Sequence, residues 1–81
     1  ELDQEDNGGF TPLQKASLSG HYQVVQFLLE KGCRRDSCSK EDLDTPLIDA
    51  VENAHLDVIE LLLENGVNPH HANRHGKRAI D

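Results

Sequence analysis

Two stretches of this chain are versions of one another. Residues 11–32, TPLQKASLSGHYQVVQFLLEKG, and residues 45–66, TPLIDAVENAHLDVIELLLENG, agree at ten of 22 positions when Thr11 is laid on Thr45. The shared residues are a Thr-Pro start, small residues, an apolar stripe and a closing glycine, the parts a repeated supersecondary unit has to keep. Such units must stack, because a pair of short helices cannot bury its apolar face alone.

Each copy reads as two helices and a turn. Thr45 supplies an N-cap hydroxyl, and Pro46 follows at the first helical position, where no amide donor is missed. Leu47, Ala50 and Val51 fall at i, i+3 and i+4 and give a narrow apolar face, with Asp49, Glu52 and Asn53 off it. After Ala54-His55, a second helix carries Leu56, Ile59, Leu62 and Leu63 at helical spacing, widened by Val58 and Leu61, and Asn65-Gly66 stops it. In the first copy the helices are expected over residues 12–19 and 22–31. Leu13, Ala16, Val24, Val25, Phe27, Leu28 and Leu29 would form the core there, and Lys15 and Gln23 would face out.

A third start follows, in which Gly76, Arg78 and Ile80 take the places of Leu43, Thr45 and Leu47. Thr-Pro-Leu, a turn ending in His, Val-x-x-Leu-Leu and a closing Gly, recurring at this period, resemble the ankyrin repeat. The resemblance implies an all-α fold, a solenoid of antiparallel helix pairs with β-hairpin loops. It divides the chain into an acidic lead-in (1–5), one repeat (6–36), a second (37–70) and the start of a degenerate or truncated third (71–81). The chain starts without Met and ends inside what should be a helix, so it is expected to be an excerpt of a longer protein.

Three departures from the family pattern carry expectations. The segment 32–45 is one longer than 66–78, and the extra residue should fall in the hairpin. Leu43 occupies the place of Gly9 and Gly76, so the second turn is expected to abandon the left-handed glycine conformation. Gln14 and Ile48 replace the histidine that usually follows Thr-Pro-Leu, which is expected to loosen the tie between neighbouring turns. In the third start Arg78-Ala79 replaces Thr-Pro and loses both the cap and the pre-set φ.

The net charge of −7 is concentrated. Residues 37–70 hold eight acids against Lys40 alone, whereas residues 1–36 hold six acids and four bases, and residues 71–81 one acid and three bases. An acidic field repels phosphate backbones, so nucleic acid is an unfavourable partner and a basic protein segment a favourable one. No run of 18 apolar residues offers a membrane span. Two cysteines are too few for a disulfide scaffold, which points to reduced thiols and an intracellular setting.

Catalytic and metal readings are weak. Cys33 and Cys38 with His70, His71 and His75 would offer zinc ligands, but Cys33 stands where Val67 stands in the next unit, a packing position, and no metal or cofactor is expected. His21 and His55 recur at one site with no nucleophile or orienting carboxylate repeated beside them, which argues for a ring nitrogen bonding a neighbouring carbonyl. Asp49 and Glu52, three apart on a helix, read as a solvated face without a pocket to make them an acid/base pair. The chain is not expected to be an enzyme.

The resemblance places the hairpins and the first helix of each unit along a concave groove. By position in the repeat, the partner-binding set is Phe10, Leu18, Ser19, Glu41, Asp42, Asp44, Glu52, Asn53, Arg74, His75 and Lys77. A protein-interaction module presenting an acidic groove to a basic peptide or partner subunit is the function this implies. The PLIDA start and the last unit are also similar to ankyrin segments of chromatin-associated proteins, such as the ankyrin subunit of fungal histone deacetylase complexes. That similarity implies a histone tail or a complex subunit as partner, and favours the nucleus over the cytoplasm. The alternative is a regulatory ankyrin region of a larger enzyme. A methyl-lysine cage is disfavoured, since the only aromatic residues are Phe10, Tyr22 and Phe27.

Overall fold

Thr11 and Thr45 both open a helix in the computed structural model, which describes residues 2–80. The four helices are α1 (Pro12–Ser19), α2 (Tyr22–Glu30), α3 (Pro46–Glu52) and α4 (Leu56–Glu64), and the fold is all-α, as the repeat logic requires. At α1 the cap is reciprocal: Thr11 Oγ1 accepts from the Gln14 amide at 3.3 Å and Gln14 Oε1 accepts from the Thr11 amide at 3.1 Å. At α3 only half of this box remains, because Ile48 has no side-chain acceptor to return. Within each unit a tight turn joins the helices, with His21 donating its amide to Ala16 and His55 to Ala50. The residue before each histidine is left-handed, Gly20 at φ 75° and Ala54 at φ 58°.

The hairpins are loops without a ladder. Among the described residues the only bridge is an isolated antiparallel one between Ala72 and Arg78. Three equivalent loops instead close on themselves. The Asp6 amide donates to the Phe10 carbonyl and the Gly9 amide to Asp6; Asn73 and Lys77, with Gly76, repeat the pattern. The middle loop does the same from Ser39 to Asp44, with the extra residue absorbed inside it. Leu43 corrects the expectation made for it, since it takes φ 59° beside 83° at Gly9 and 78° at Gly76. The loop's bonds hold that position left-handed whatever residue fills it, and here leucine bears a strain of roughly 1–2 kcal/mol.

α1 packs on α3 and α2 on α4, around a core of Leu13, Ala16, Val25, Leu28, Leu29, Cys33, Leu47, Ala50, Val58, Leu62 and Val67. Two expected core residues are not in it: Val24 is 48% and Phe27 53% exposed. Their counterparts in the second unit, Val58 and Leu61, are fully and half buried. Conversely Leu29 is buried while its counterpart Leu63 is 46% exposed. Every unit has a backward and a forward apolar face, and two units make one shared interface, which covers the forward face of the first and the backward face of the second. Leu56, on the stripe by spacing, is also exposed.

The expected loosening at Gln14 is not what the structure shows. Gln14 Nε2 donates to the Asp44 carbonyl at 3.2 Å and Thr11 Oγ1 meets Ser37 Oγ at 3.2 Å, so an amide makes the tie between turns. After Lys77 the described residues are Arg78, which pairs with Ala72 in the isolated bridge, and a turn at Ala79 and Ile80.

Candidate functional site

The first residue of each loop uses its side chain to hold the loop's own amides. Asp6 Oδ1 accepts from Gly8 and Phe10, each at 2.9 Å, and those bonds, led by the one from Phe10, hold the Asp6 carboxyl below its usual value. Asn73 Oδ1 does the same for His75 and Lys77 at 2.9 Å. Ser39 Oγ accepts from the Asp44 amide at 3.2 Å. The loops are therefore pre-shaped by their own side chains.

The last loop clamps the middle one. The Arg74 amide donates to the Asp42 carbonyl at 2.7 Å, and its guanidinium donates to the Glu41 carbonyl and, at 3.3 Å, to that of Lys40. Asn73 Nδ2 donates to Asp44 Oδ1 at 2.8 Å. His75 Nε2 lies 3.7 Å from Asp42 Oδ1, and Lys77 Nζ lies 3.3 Å from Glu52 Oε2. Seven of the eleven sequence-derived site residues, Glu41, Asp42, Asp44, Glu52, Arg74, His75 and Lys77, are thus gathered around two loops and the end of α3. The basic members are partly spent on the acids, which a charge count along the sequence cannot show.

The other four are placed differently. Phe10 is half-buried and lines a shallow pocket of about 160 Å³ with Gly8, Ser39, Glu41 and Asp42. Leu18 and Ser19 are exposed at the far end of α1, about 12 Å along the helix from its cap. Asn53 is exposed, but its amide folds back on its own helix and donates to the Asp49 carbonyl at 2.9 Å.

Asp49 is the residue that sequence reasoning missed. It was expected on a solvated face, yet it is only 3% exposed, and its Oδ2 is buried without a hydrogen-bond partner among the described residues. Oxygens of Asp44, Asp49 and Glu52 all lie within 4.8 Å of one another. Burial, then the charges of Asp44, Glu52 and Asp42, pushes the Asp49 carboxyl up to about 7. The physical reason is position in the stack: residues 46–50 are all buried, because α3 is covered by α1 on one side and the last loop reaches across from the other. The equivalent Lys15, on the first unit, is exposed and reaches Asp6 at 3.7 Å. The available signal was that an acid replaces this outward lysine in the unit that, among the described residues, has a neighbour on both sides.

The family model for ankyrin repeats, three copies, matches residues 1–73. The chain belongs to the ankyrin-repeat family. It is 46% identical over 39 residues to the human NAD-capped RNA hydrolase NUDT12, a match that spans 48% of this chain and 8% of that protein. It is 53% identical over 34 residues to the human ankyrin repeat domain-containing protein 39, spanning 42% of this chain and 19% of that protein. The matched stretches thus cover less than a fifth of either relative's length.

The remaining chemistry of this ankyrin array is architectural. The His55 Nε2–H donates to the Leu18 carbonyl at 2.9 Å, and the ring lies so close to Gly20 that a Cβ there would stand 2.5 Å from Nδ1. This bond reaches back from the second unit to α1 of the first, and His21, in the first unit, has no preceding helix among the described residues to reach. Cys33 is buried and its thiol is pushed up by that burial and by Asp3. Among the described residues, the one convergent set of three metal-type ligands is the carboxylate group just described. No described helix is long and apolar enough to cross a membrane. A cavity of about 410 Å³ lies between the units and is lined by Arg35, Asp36, Thr45, Val67, Asn68 and His71.

Proposed function

We propose that this chain is a protein-interaction module whose α1, α3 and loop side receives a basic peptide or partner subunit, through the set Phe10, Leu18, Ser19, Glu41, Asp42, Asp44, Glu52, Asn53, Arg74, His75 and Lys77. The observation that carries the reading is the gathering of Glu41, Asp42, Asp44 and Glu52 on that side, where the Lys77 ammonium pairs with Glu52 and the His75 ring lies beside Asp42. The Arg74 guanidinium is turned onto carbonyls. A net negative surface of this kind raises association rate and fixes the register of a cationic segment. A histone tail, or a subunit of a chromatin complex, has the required charge, and such a partner would place the protein in the nucleus.

Binding of a histone-tail peptide should weaken as salt rises, since exposed charges are screened over about 8 to 10 Å at physiological ionic strength. Replacing Asp44 and Glu52 with Asn and Gln should cost more affinity than replacing Glu60 and Glu64 with Gln, which changes net charge equally on the outer helix. Equal losses, or none, would refute the placement of the site. The second reading, a regulatory ankyrin region of a larger enzyme, is favoured by the similarity to NUDT12. A catalytic domain in the parent chain would support it.

A further inference from the structure

Three facts about Asp44, Asp49 and Glu52 belong together. Their carboxylate oxygens lie within 4.8 Å of one another. Two already hold a nitrogen donor: Asp44 from the Asn73 amide at 2.8 Å, Glu52 from the Lys77 ammonium at 3.3 Å. The third, Asp49, is 3% exposed and has a buried oxygen without a partner among the described residues. A buried acceptor left unmade is costly, and native structures seldom leave one without a donor. What the cluster lacks is therefore specific: one more positive charge carrying N–H donors, delivered at Asp49.

We propose that Asp44, Asp49 and Glu52 form the anchor for a single cationic side chain, a lysine or arginine, of a partner protein. The proposal rests on the reading above that the partner is basic, and adds the residue that takes the first grip. A long cationic side chain brings its own donors on a flexible apolar stem. A hard divalent cation fits less well, because it seeks six or more oxygen ligands and would sit beside the Lys77 ammonium. The charges facing the cluster are Asp42 from the middle loop and Lys77 from the last; on α1 the only charged residue, Lys15, is turned to Asp6, and the acids of α4 are exposed. Negative charge dominates, so a ligand cation is stabilised and displaces the proton that Asp49 otherwise holds near neutral pH.

The test uses the 81-residue chain, the decapeptide (Lys-Ser)5 with its fully acetylated form as control, and n-butylammonium as an isolated lysine head. The readouts are peptide affinity and the carbon resonance of the Asp49 carboxyl across pH. Both cationic probes should move that resonance saturably and lower its titration midpoint. Asp49→Asn should weaken the peptide by about tenfold or more, the loss of a charge-assisted bond, with helical circular dichroism unchanged. Should that variant fail to fold, the wild-type resonance decides alone. If the peptide binds while the resonance stays still and Asp49→Asn binds equally, the anchor is overturned and the basic-segment reading survives. If butylammonium moves Asp49 but the peptide binds no better than its acetylated form, the cluster takes only a free ammonium, and the anchor for a partner's side chain falls together with the basic-segment reading. No response to either probe overturns both. A response to millimolar calcium or magnesium, with none to ammonium, overturns the anchor in favour of a metal site.

Discussion

Asp49 should make this protein less stable as pH rises through neutrality. Its carboxyl moves from 3.8 in an ordinary setting to about 7 in the fold, by burial and by the neighbouring acids. For an acid whose folded value is raised, the folded state binds the extra proton between those two values, so stability falls with pH across that window and is level above it. At roughly 1.4 kcal/mol per pH unit the full swing is about 4 kcal/mol, of which about 2.5 kcal/mol falls between pH 5 and pH 8. A chain of this size has a total stability of roughly 4–12 kcal/mol, so the melting temperature should drop by about 10 to 20 °C over that range. Asp6, whose carboxyl is held low by its loop amides, acts in the opposite sense, but it loses its contribution only below pH 4, outside the window. Asp49→Asn keeps the shape, removes the buried charge, and lets an amide donate to Asp44 and Glu52. Urea unfolding of wild type and variant at pH 5, 6, 7 and 8 cancels the histidines common to both. The variant should be more stable by about 2 kcal/mol or more at pH 8, with the gap narrowing toward pH 5. Two parallel curves would show that Asp49 is ionised in the fold without penalty and that its burial does not have the effect described.

Other substitutions test the stack. Leu62 is fully buried, and Leu62→Ala should cost about 2–5 kcal/mol and abolish cooperative thermal unfolding followed by circular dichroism; a melt within a few degrees of wild type would remove Leu62 from the core. Gly20 and Ala54 fill the same left-handed position at φ 75° and φ 58°, and their substitutions should have opposite signs. Gly20→Ala drives a methyl into the His55 ring at 2.5 Å and should destabilise. Ala54→Gly, at an exposed site, should gain about 1 kcal/mol in urea unfolding.

The helices, their caps and their turns were legible in the sequence because each depends on near neighbours in the chain: Thr-Pro for the start, the apolar stripe for the period, Gly32 and Gly66 for the stop. Position 43 shows the limit even for local reasoning. The residue type argued against a left-handed turn, and the loop's paired backbone bonds, Ser39 to Asp44 and Leu43 to Ser39, imposed it. Of the site, the sequence supplied the acids and their repeat positions. It did not supply the pairing of Lys77 with Glu52, His75 with Asp42 and Asn73 with Asp44, which joins one repeat to the next and follows from stacking.

Burial was decided by tertiary structure alone. Val24 and Val58 are the same residue type at the same place in the repeat, yet one is half exposed and the other fully buried, because the helix interface among the described residues covers Val58 and leaves Val24 outside it. Lys15 and Asp49 differ in the same way on the inner helix. The sequence by itself determined that this chain builds ankyrin units with two apolar faces each. Which faces are covered, and that a carboxylate would be shut inside with two others at its rim, depended on what each unit packs against, since burial belongs to the interface and periodicity belongs to the helix.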